Sequence, residues 1–318
     1  MFTQEMRRAG PAPVWWDCNV RQHEEEGTPM IPAAFDYHRP ETLDEAVKLL
    51  KKHGDEAKVL SGGMSLLPML KLRLASFAHL VDINRIPGLD YIKEKGGNLC
   101  IGAMTRQAAL ERSDLIRTKY PILADAIPLI ADPLVRNRGT IGGNVANGDP
   151  GNDQPAIMLA LGATFVARGG KERTIPANQF YKGLYSTALA PNEILTEIRI
   201  PAPPPRSGGA YAKLKRKTGD FAVAAAAVQV TLGKNGAIER AGIGLTNAGL
   251  TPIEAVVAAK YLVGKMPDEK TIAEAARLAA VKSAPSADRR GTVEYKKEMA
   301  RVLTTRALRK AVQRAGGN

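Results

Sequence analysis

The sequence predicts a two-domain protein of the α+β class. Its 318 residues, 44% of them apolar, can bury a sizeable core and suggest two domains more readily than one or three. Four prolines and two glycines fall within the nine residues of "PAPPPRSGG", 201–209, and mark a boundary. Beyond it, strand patterns come first and helical patterns follow, without regular βαβ alternation. We therefore expect a flexible extension at 1–29, a first domain at 30–205 and a second domain at 206–318.

The first domain is predicted to begin with a helix, a strand and a glycine turn. In "ETLDEAVKLLKKHG", Thr42 and Glu45 form a capping box and Gly54 ends the helix. "AKVLSGG" is typical of a buried strand that runs into a glycine turn. "LLPMLKLRLA" is expected to be an apolar segment packed behind that strand.

Further strands and helices are predicted up to the boundary. "HLVDI" and "LCIGAM" are strand candidates, and "TRQAALERSDLIR" is typical of a helix capped by Thr105. "YPILADAIPLIADPLVRNRG" predicts a second helical region. "PAIMLALGATFVARGG" and "EILTEIRIP" alternate strand and turn signals.

The second domain is predicted to place three strands before three helices. The strand candidates are "AYAKLKR", "AVAAAAVQVTL" and "IERAGIGLTNAG". Thr251 and Glu254, with Pro252 between them, form a capping box that predicts the first helix. "TIAEAARLAAVKSA" predicts the second helix, and a third is expected to end the chain.

Hydropathy argues against a membrane protein or a secreted one. No run of about 18 apolar residues exists, so no integral membrane segment is predicted. Arg7 and Arg8 are followed by "AGPAPVWWDCNV", where a secretory signal would need a continuous apolar region. We expect the chain in the cytoplasm.

Cysteine and histidine usage predicts no metal centre within this chain. An iron–sulfur cluster needs four thiolates and structural zinc needs four Cys or His ligands, whereas only Cys18 and Cys100 are present. The four histidines never fall at metal-ligand spacing in the sequence and are expected to be surface residues or hydrogen-bonded ones: His23, His38, His53 and His79.

The formal charge of +13 leaves a nucleic-acid partner as an alternative. The basic residues are spread along the chain, and the densest patch is "KLKRK", 213–217, with Tyr211 and Phe221 nearby. It lacks a recognisable helix-turn-helix or zinc pattern. A solvated or partner-facing surface is the favoured interpretation, and no nucleic acid is expected.

Two glycine pairs, "SGGMS" and "TIGGN", carry the chemical signal of the sequence. A glycine pair lets the backbone approach a ligand closely, and consecutive N–H groups can converge on phosphate oxygens. Two such loops about eighty residues apart favour a ligand with two phosphates. Ordinary hairpin turns remain the alternative. Neither loop matches the Rossmann or P-loop pattern.

Longer stretches around these loops resemble a known family. "SGGMSLLPMLKLRLA", "DPLVRNRGTIGGNVANGDPGNDQPAIMLALGA" and "NEILTEIRIP", in this order, are similar to the FAD-binding medium subunit of the molybdenum hydroxylase (xanthine dehydrogenase) family. Within that family the resemblance is to the carbon monoxide dehydrogenase type. It implies an FAD-binding domain of the vanillyl-alcohol oxidase type at 30–205, with FAD between two α+β subdomains. It also implies an α+β flavoprotein C-terminal domain at 206–318.

The resemblance assigns cofactor-binding roles to particular residues. Asp153 matches an acidic position that accepts from the FAD ribose, and Leu195 matches an apolar position lining the cofactor. Phe221 matches a bulky residue beside the isoalloxazine ring, and Lys213 matches a lysine near the flavin. Met64 departs from the histidine or glutamine frequent at its position, which removes a polar contact and leaves the backbone role intact. The two pyrophosphate loops and their flanking residues fall on Val59, Leu60, Ser61, Gly62, Gly63, Met64, Ser65 and Leu66, and on Thr140, Ile141, Gly142, Gly143 and Asn144.

The resemblance also implies an oxidoreductase complex. Proteins of this family pass electrons from molybdopterin through [2Fe–2S] clusters to FAD and then to an external acceptor. This chain would supply the FAD station, beside a small iron–sulfur subunit and a large molybdopterin subunit, as a dimer of heterotrimers. The complex is expected in the cytoplasm, either free or peripheral at the inner membrane. A self-sufficient flavin oxidoreductase is the alternative enzyme. The sequence shows no recognisable set of catalytic side chains.

Overall fold

The first lobe of the chain, residues 36–82, is built on a three-stranded parallel sheet. A computed structural model describes residues 30–316, so the extension predicted at 1–29 and its Cys18 and His23 lie outside the described residues. The strands lie in the order β1-β3-β2. The elements of the lobe are β1 (Asp36–His38), α1 (Leu43–His53), β2 (Ala57–Leu60), α2 (Leu66–Lys71) and β3 (His79–Asp82).

Helix α1 confirms the predicted start and stop signals. The Glu45 N–H donates to Thr42 Oγ1 at 3.2 Å, and Gly54 after the helix has a φ of +54°. Ala46, Val47 and Leu50 are buried on one face, as their helical spacing predicts.

The segment after β2 differs from its prediction. "LLPMLKLRLA" was expected to pack behind the strand, but α2 buries only Leu70. The helix ends at Lys71, and Arg73 adopts a φ of +55°. Leu72 and Leu74 therefore leave the helical face that carries Leu70, and they are 46% and 71% exposed.

The second lobe, residues 92–201, is built on a five-stranded antiparallel sheet of order β4-β5-β10-β6-β7. Short helices cover it, and β8 and β9 form a separate hairpin. Its strands are β4 (Ile92–Lys95), β5 (Asn98–Gly102), β6 (Thr164–Arg168), β7 (Glu172–Pro176), β8 (Tyr181–Gly183), β9 (Ser186–Thr187) and β10 (Ile194–Pro201). Its helices are α3 (Gln107–Arg112), α4 (Asp114–Lys119), α5 (Pro121–Ala126), α6 (Pro133–Arg138), α7 (Ile141–Ala146) and α8 (Asp153–Ala160).

Two predictions in this lobe were wrong. "PAIMLA" belongs to α8 rather than to a strand, and every residue of that helix is buried. A uniformly apolar run fits a buried strand and a buried helix equally well. Thr105 does not cap the following helix, because its hydroxyl is bonded to the backbone N–H and carbonyl of Tyr91, each at 3.0 Å.

The C-terminal domain, residues 207–316, packs helices against a four-stranded antiparallel sheet of order β11-β12-β13-β14. The three predicted strands and the last two predicted helices are confirmed. The capping box predicted at Thr251 and Glu254 was wrong, since Ile253 and Glu254 pair with β13 and the helix begins after them. The elements are β11 (Ser207–Leu214), β12 (Ala224–Leu232), β13 (Ile238–Thr246), β14 (Ile253–Glu254), α9 (Val256–Leu262), α10 (Glu269–Lys282) and α11 (Val293–Gly316).

The cores show how the three units are joined. The first lobe packs around Leu50 and Val81 in a small core that Met104 and Ile194 of the second lobe join. The second lobe and the C-terminal domain share a larger core, in which Phe165 and Leu123 belong to the same cluster as Tyr211 and Ala225. The α+β class predicted for the chain is confirmed, although the first lobe by itself alternates strands and helices around a parallel sheet.

Within residues 30–316 no helix combines the length and the apolar character needed to span a lipid bilayer.

Candidate functional site

A cleft of about 720 Å³ lies where the two lobes and the C-terminal domain meet. This volume is in the usual range for cofactor and ligand pockets. All the predicted site residues line it except Leu60 and Ile141, which are buried outside the lining. The predicted residues that line it are Val59, Ser61, Gly62, Gly63, Met64, Ser65, Leu66, Thr140, Gly142, Gly143, Asn144, Asp153, Leu195, Lys213 and Phe221.

The first glycine loop, residues 61–65, presents unused backbone donors to the cleft. Among the described residues, none accepts a hydrogen bond from the N–H groups of Gly62, Gly63, Met64 or Ser65. Gly63 has a φ of +73°, which L side chains rarely adopt. Four consecutive free N–H groups suit an anionic ligand.

In the second glycine loop, residues 140–144, the backbone N–H groups already donate hydrogen bonds to other atoms of the protein. The N–H groups of Ile141 and Gly142 donate to Thr105 and Ala103 at 3.0 Å and 2.9 Å. The Gly143 N–H donates to Thr140 Oγ1 at 3.0 Å, which makes Thr140 the N-cap of α7. This loop instead offers side chains, because Thr140 Oγ1 lies 3.3 Å from Ser61 Oγ and Asn144 Oδ1 is buried without a partner in the described chain.

The glycines of the loops were predicted to admit a ligand, and the structure corrects this for two of them. A β-carbon on Gly62 would lie 2.5 Å from the Arg138 carbonyl oxygen. A β-carbon on Gly142 would lie 2.5 Å from the Cβ of Ala103. Both glycines therefore allow protein to pack on protein, and the first contact holds the two loops together.

A β-carbon on Gly143 would meet the hydroxyls of the site instead. It would lie 2.6 Å from Ser61 Oγ and 2.7 Å from Thr140 Oγ1. Gly143 is thus the glycine of the second loop whose side chain would point toward the polar atoms of the cleft.

A polar network that the sequence did not reveal connects the two loops. Asn84 Nδ2 donates to the Ser61 carbonyl at 2.7 Å, and Arg106 donates to Asn84 Oδ1 at 2.6 Å and to the Arg138 carbonyl. Burial and the neighbouring Arg138 lower the pKa of Arg106. Asn84 and Arg106 carry no local motif, so only the fold brings them between the loops.

Gln107 is a second residue that sequence reasoning missed. It lines the cleft, is 2% exposed and accepts from Gln154 Nε2 at 3.2 Å. Its own Nε2 has no hydrogen-bond partner among the described residues. A buried amide with an unused donor beside a cleft is suited to a ligand acceptor.

Asp153 and Lys213 lie side by side at the floor of the cleft and join α8 to β11. Lys213 Nζ donates to Asp153 Oδ2 at 2.7 Å, and the Tyr211 hydroxyl donates to Asp153 Oδ1 at 2.6 Å. Burial raises the pKa of the Asp153 carboxyl, against the opposing effect of the Lys213 ammonium. Both carboxylate oxygens are engaged within the protein, so the predicted ribose contact stays a prediction.

The burial of the Lys213 side chain also contradicts the interpretation of "KLKRK" as a solvated or partner-facing surface. The side chain is 1% exposed, whereas Arg216 and Lys217 are exposed. The basic run is therefore a strand end in which the charges do not form one surface.

Aromatic side chains stand at the mouth of the cleft. Phe221 is 47% exposed and Tyr185 is 50% exposed, and both line the cleft. The neighbour of Phe221, Asp220, is fixed by Arg290 and Arg216, each with a nitrogen 2.9 Å from a carboxylate oxygen. These two guanidinium groups lower the pKa of Asp220 to about 2.

Comparisons with known proteins show to which family this architecture belongs. Residues 33–203 match the model of the FAD binding domain in molybdopterin dehydrogenase, and residues 209–311 match the CO dehydrogenase flavoprotein C-terminal domain. The carbon monoxide dehydrogenase medium chain of Afipia carboxidovorans is 50% identical over 90% of this chain and 99% of its own. The alpha subunit of the 6-hydroxypseudooxynicotine dehydrogenase complex of Paenarthrobacter nicotinovorans is 37% identical over 90% of this chain and 97% of its own.

A solved structure of the Cu,Mo-CO dehydrogenase contains a similar chain. It superimposes with a TM-score of 0.87 at 49% identity, covering 89% of this chain and 99% of that chain. The two lobes, the cleft between them and the following domain thus define a flavoprotein subunit of an oxidoreductase. The chain belongs to the FAD-binding medium subunits of the molybdopterin dehydrogenase family, on the carbon monoxide dehydrogenase side of it. The resemblance drawn from the glycine loops is confirmed.

Proposed function

We propose that this chain holds FAD non-covalently in the cleft and works as the electron-transfer subunit of a molybdenum hydroxylase complex. The observation that carries the proposal is the set of four unused N–H groups on the first glycine loop, together with the hydroxyls of Ser61 and Thr140, which lie 3.3 Å apart. Backbone donors and hydroxyls without a charged side chain suit the pyrophosphate of a dinucleotide.

Other features of the cleft support a dinucleotide. Asn144 Oδ1 and Gln107 Nε2 are a buried acceptor and a buried donor without partners in the described chain, so a polar ligand would satisfy both. The cleft also has apolar walls, to which Leu66, Met69 and Leu195 contribute. Within the described residues no histidine or cysteine lines the cleft, which favours a non-covalent cofactor over a covalent one.

The residues of the chain would then have separate roles. The first loop binds the pyrophosphate, Leu195 and Phe221 lie against the ring system, and Asp153 with Lys213 forms the floor. Bound FAD supplies the redox chemistry, and the protein orients the ring and sets its surroundings. The exposed Phe221 and Tyr185 narrow the mouth, which favours a quinone over a nicotinamide as the external acceptor.

The complex follows from the family. We propose a small partner with [2Fe–2S] clusters and a large partner with molybdopterin, assembled as a dimer of heterotrimers in the cytoplasm. Electrons would enter from the iron–sulfur partner and leave through FAD to the acceptor. The large subunit would choose the substrate, so carbon monoxide, an aromatic acyl-CoA, a purine and other N-heterocycles are all compatible with this chain.

The cofactor is tested by denaturing the purified protein in acid. We expect yellow flavin in the supernatant, about one FAD per chain. A colourless supernatant over a yellow pellet would contradict the non-covalent assignment. A folded preparation that lacks flavin and takes up no added FAD would contradict the site itself.

The role in electron transfer is tested with the FAD-loaded chain alone. We expect no turnover of organic substrates without the iron–sulfur partner, whereas a self-sufficient flavin oxidoreductase would turn them over. After chemical reduction, a water-soluble quinone should reoxidise the flavin faster than NAD⁺ does. Faster reoxidation by NAD⁺ would overturn the assignment of the acceptor.

A further inference from the structure

Three histidines that are distant in sequence come together in the first lobe. His38 ends β1, His79 begins β3, and His53 ends α1. A nitrogen from each ring lies within 4.8 Å of a nitrogen from each of the others. Their sequence spacing gave no sign of this cluster, because parallel pairing of β1 with β3 joins residues about forty positions apart.

The ring nitrogens of the cluster have few hydrogen-bond partners among the described residues. His38 Nε2 and His79 Nδ1 are 3.2 Å apart, and the rings of His53 and His79 have centroids 3.6 Å apart. His53 Nε2 is buried and has no hydrogen-bond partner among the described residues. The expectation that each histidine is a surface residue or a hydrogen-bonded one was therefore wrong for His53.

We propose that His38, His53 and His79 bind one divalent transition-metal ion, with zinc as the physiological choice. Three imidazoles are a ligand set that suits zinc, copper and nickel rather than magnesium or calcium. Zinc–nitrogen bonds of about 2.0–2.1 Å place tetrahedral ligand nitrogens about 3.4 Å apart. The His38–His79 pair already meets this spacing, and the others need to close by little more than an ångström.

Charge near the cluster fits a cation. Asp36 Oδ2 lies 3.4 Å from His79 Nδ1, which places a carboxylate beside the three rings. Lys52 is the nearby positive group that opposes binding.

The ion would act as a staple for the first lobe. It would tie the edge strand β1 and the end of α1 to the central strand β3, in a lobe whose core is small. None of the three histidines lines the cleft, so the metal site and the cofactor site are separate.

The test uses the full chain after treatment with a chelator, titrated calorimetrically with zinc sulfate. We expect one ion per chain and a higher melting temperature with zinc, because an ion that binds only the folded state stabilises it. Magnesium sulfate should give neither effect. Absence of saturable zinc binding at micromolar protein would overturn the proposal.

Histidine variants locate the site. His53→Gln and His79→Asn should each weaken zinc binding tenfold or more, with FAD content unchanged. His23→Ala, which removes the remaining histidine, is the matched control and should bind zinc as the original chain does. Loss of binding in His23→Ala, or full binding in both cluster variants, would overturn the assignment.

X-ray absorption at the zinc edge of the original chain decides the matter if the variants do not fold. Three imidazole nitrogens at about 2.0–2.1 Å are expected. A shell of oxygens without imidazole would overturn the proposal.

Discussion

Gly142 and Gly143 are neighbours, yet a β-carbon on each would meet different parts of the protein. On Gly142 it would press against the backbone and Cβ of Ala103, in the wall of the second lobe. On Gly143 it would enter the space beside Ser61 Oγ and Thr140 Oγ1. Substitution should therefore affect stability at one position and cofactor binding at the other.

For Gly143→Val we expect a strong loss of FAD with the fold retained. The added side chain would displace the two hydroxyls, which are groups that can move, and would occupy the space beside them. The measurement is the flavin-to-protein absorbance ratio, together with circular dichroism. Full FAD occupancy in a well-folded variant would contradict the role given to this loop.

For Gly142→Ala we expect a loss of stability rather than a loss of FAD binding. The new β-carbon has a backbone oxygen 2.6 Å away, so overpacking should cost about 1–3 kcal/mol in the free energy of unfolding. Urea unfolding measures it. Gly170→Ala is the control, because its β-carbon would meet only Lys51 Nζ at 3.6 Å. Equal stability of the two variants would contradict this explanation.

The lowered pKa of Asp220 predicts that the stability of the fold depends on pH. Its pKa is lowered to about 2 by Arg290 and Arg216, below the ordinary value of 3.8. The folded state therefore gains stability from the ionised carboxylate above about pH 4, and this gain is lost as the pH falls toward 2. Asp220→Asn should be less stable than the original chain at pH 7, and the difference should shrink by pH 2.5.

Urea unfolding at several pH values checks the Asp220 prediction. Glu298→Gln is the matched control, because Glu298 pairs with Arg301 on an exposed helix surface, where such pairs contribute little. A difference between Asp220→Asn and the original chain that does not change with pH would contradict the prediction.

Some residues of the site could be predicted from the sequence and others could not. Both glycine loops have a local sequence pattern, because tight turns need particular residue types. Asn84, Arg106 and Gln107 have ordinary polar side chains that become site residues only through contacts between distant segments. A single sequence holds no signal for such contacts.

At the scale of elements, α8 is joined to β11 by the buried Asp153–Lys213 ion pair and by the Tyr211 hydroxyl, which donates to Asp153. Lys213→Met would leave the Asp153 carboxylate in a buried site without its cation, which should cost about 3–5 kcal/mol in the free energy of unfolding. Combining it with Asp153→Asn should restore much of the loss, since the uncompensated charge is then removed.

Unfolding in urea measures the effect at the joint. Lys310→Met is the control, because Lys310 is 49% exposed in its pair with Asp125 and should change stability by less than about 1 kcal/mol. If Lys213→Met were as mild as Lys310→Met, the ion pair would not be what holds the joint.

Element types were predictable where the pattern had a period. Helix α1 has an amphipathic face with caps, and β11, β12 and β13 follow an evident linker. Helix α8 lacks a polar face because helices α5 and α7 of its own lobe and the sheet of the C-terminal domain cover it, so its sequence has no period. The signal at Thr251 and Glu254 failed because Ile253 and Glu254 complete the edge of a sheet.

For the whole molecule, separate cores predict unequal stability. The first lobe packs around a small core that Met104 and Ile194 of the second lobe join, whereas the second lobe shares a larger core with the C-terminal domain. Without FAD, we expect amides of α1 and β2 to exchange hydrogen faster than those of β10 and β12. FAD in the proposed site would contact both lobes, so it should slow exchange in the first lobe most.

Hydrogen exchange followed by mass spectrometry, with and without FAD, measures this difference. The comparison should be made at a fixed excess of FAD, since a ligand at about 100 times its Kd adds about 2.7 kcal/mol to stability. Uniform exchange across the apoprotein would contradict the prediction of an independent first lobe.

The cleft has a consequence for the order in which the protein is made. Its walls include Val59 near the start of the chain and Phe221 far along it. At about 5–20 residues per second, a ribosome needs roughly ten to thirty seconds between these two residues. Until Phe221 has been added, the nascent chain carries a first loop with free N–H groups and an incomplete cleft around it. Flavin loading therefore belongs to the end of translation, and the supply of FAD matters to the finished chain rather than to the growing one.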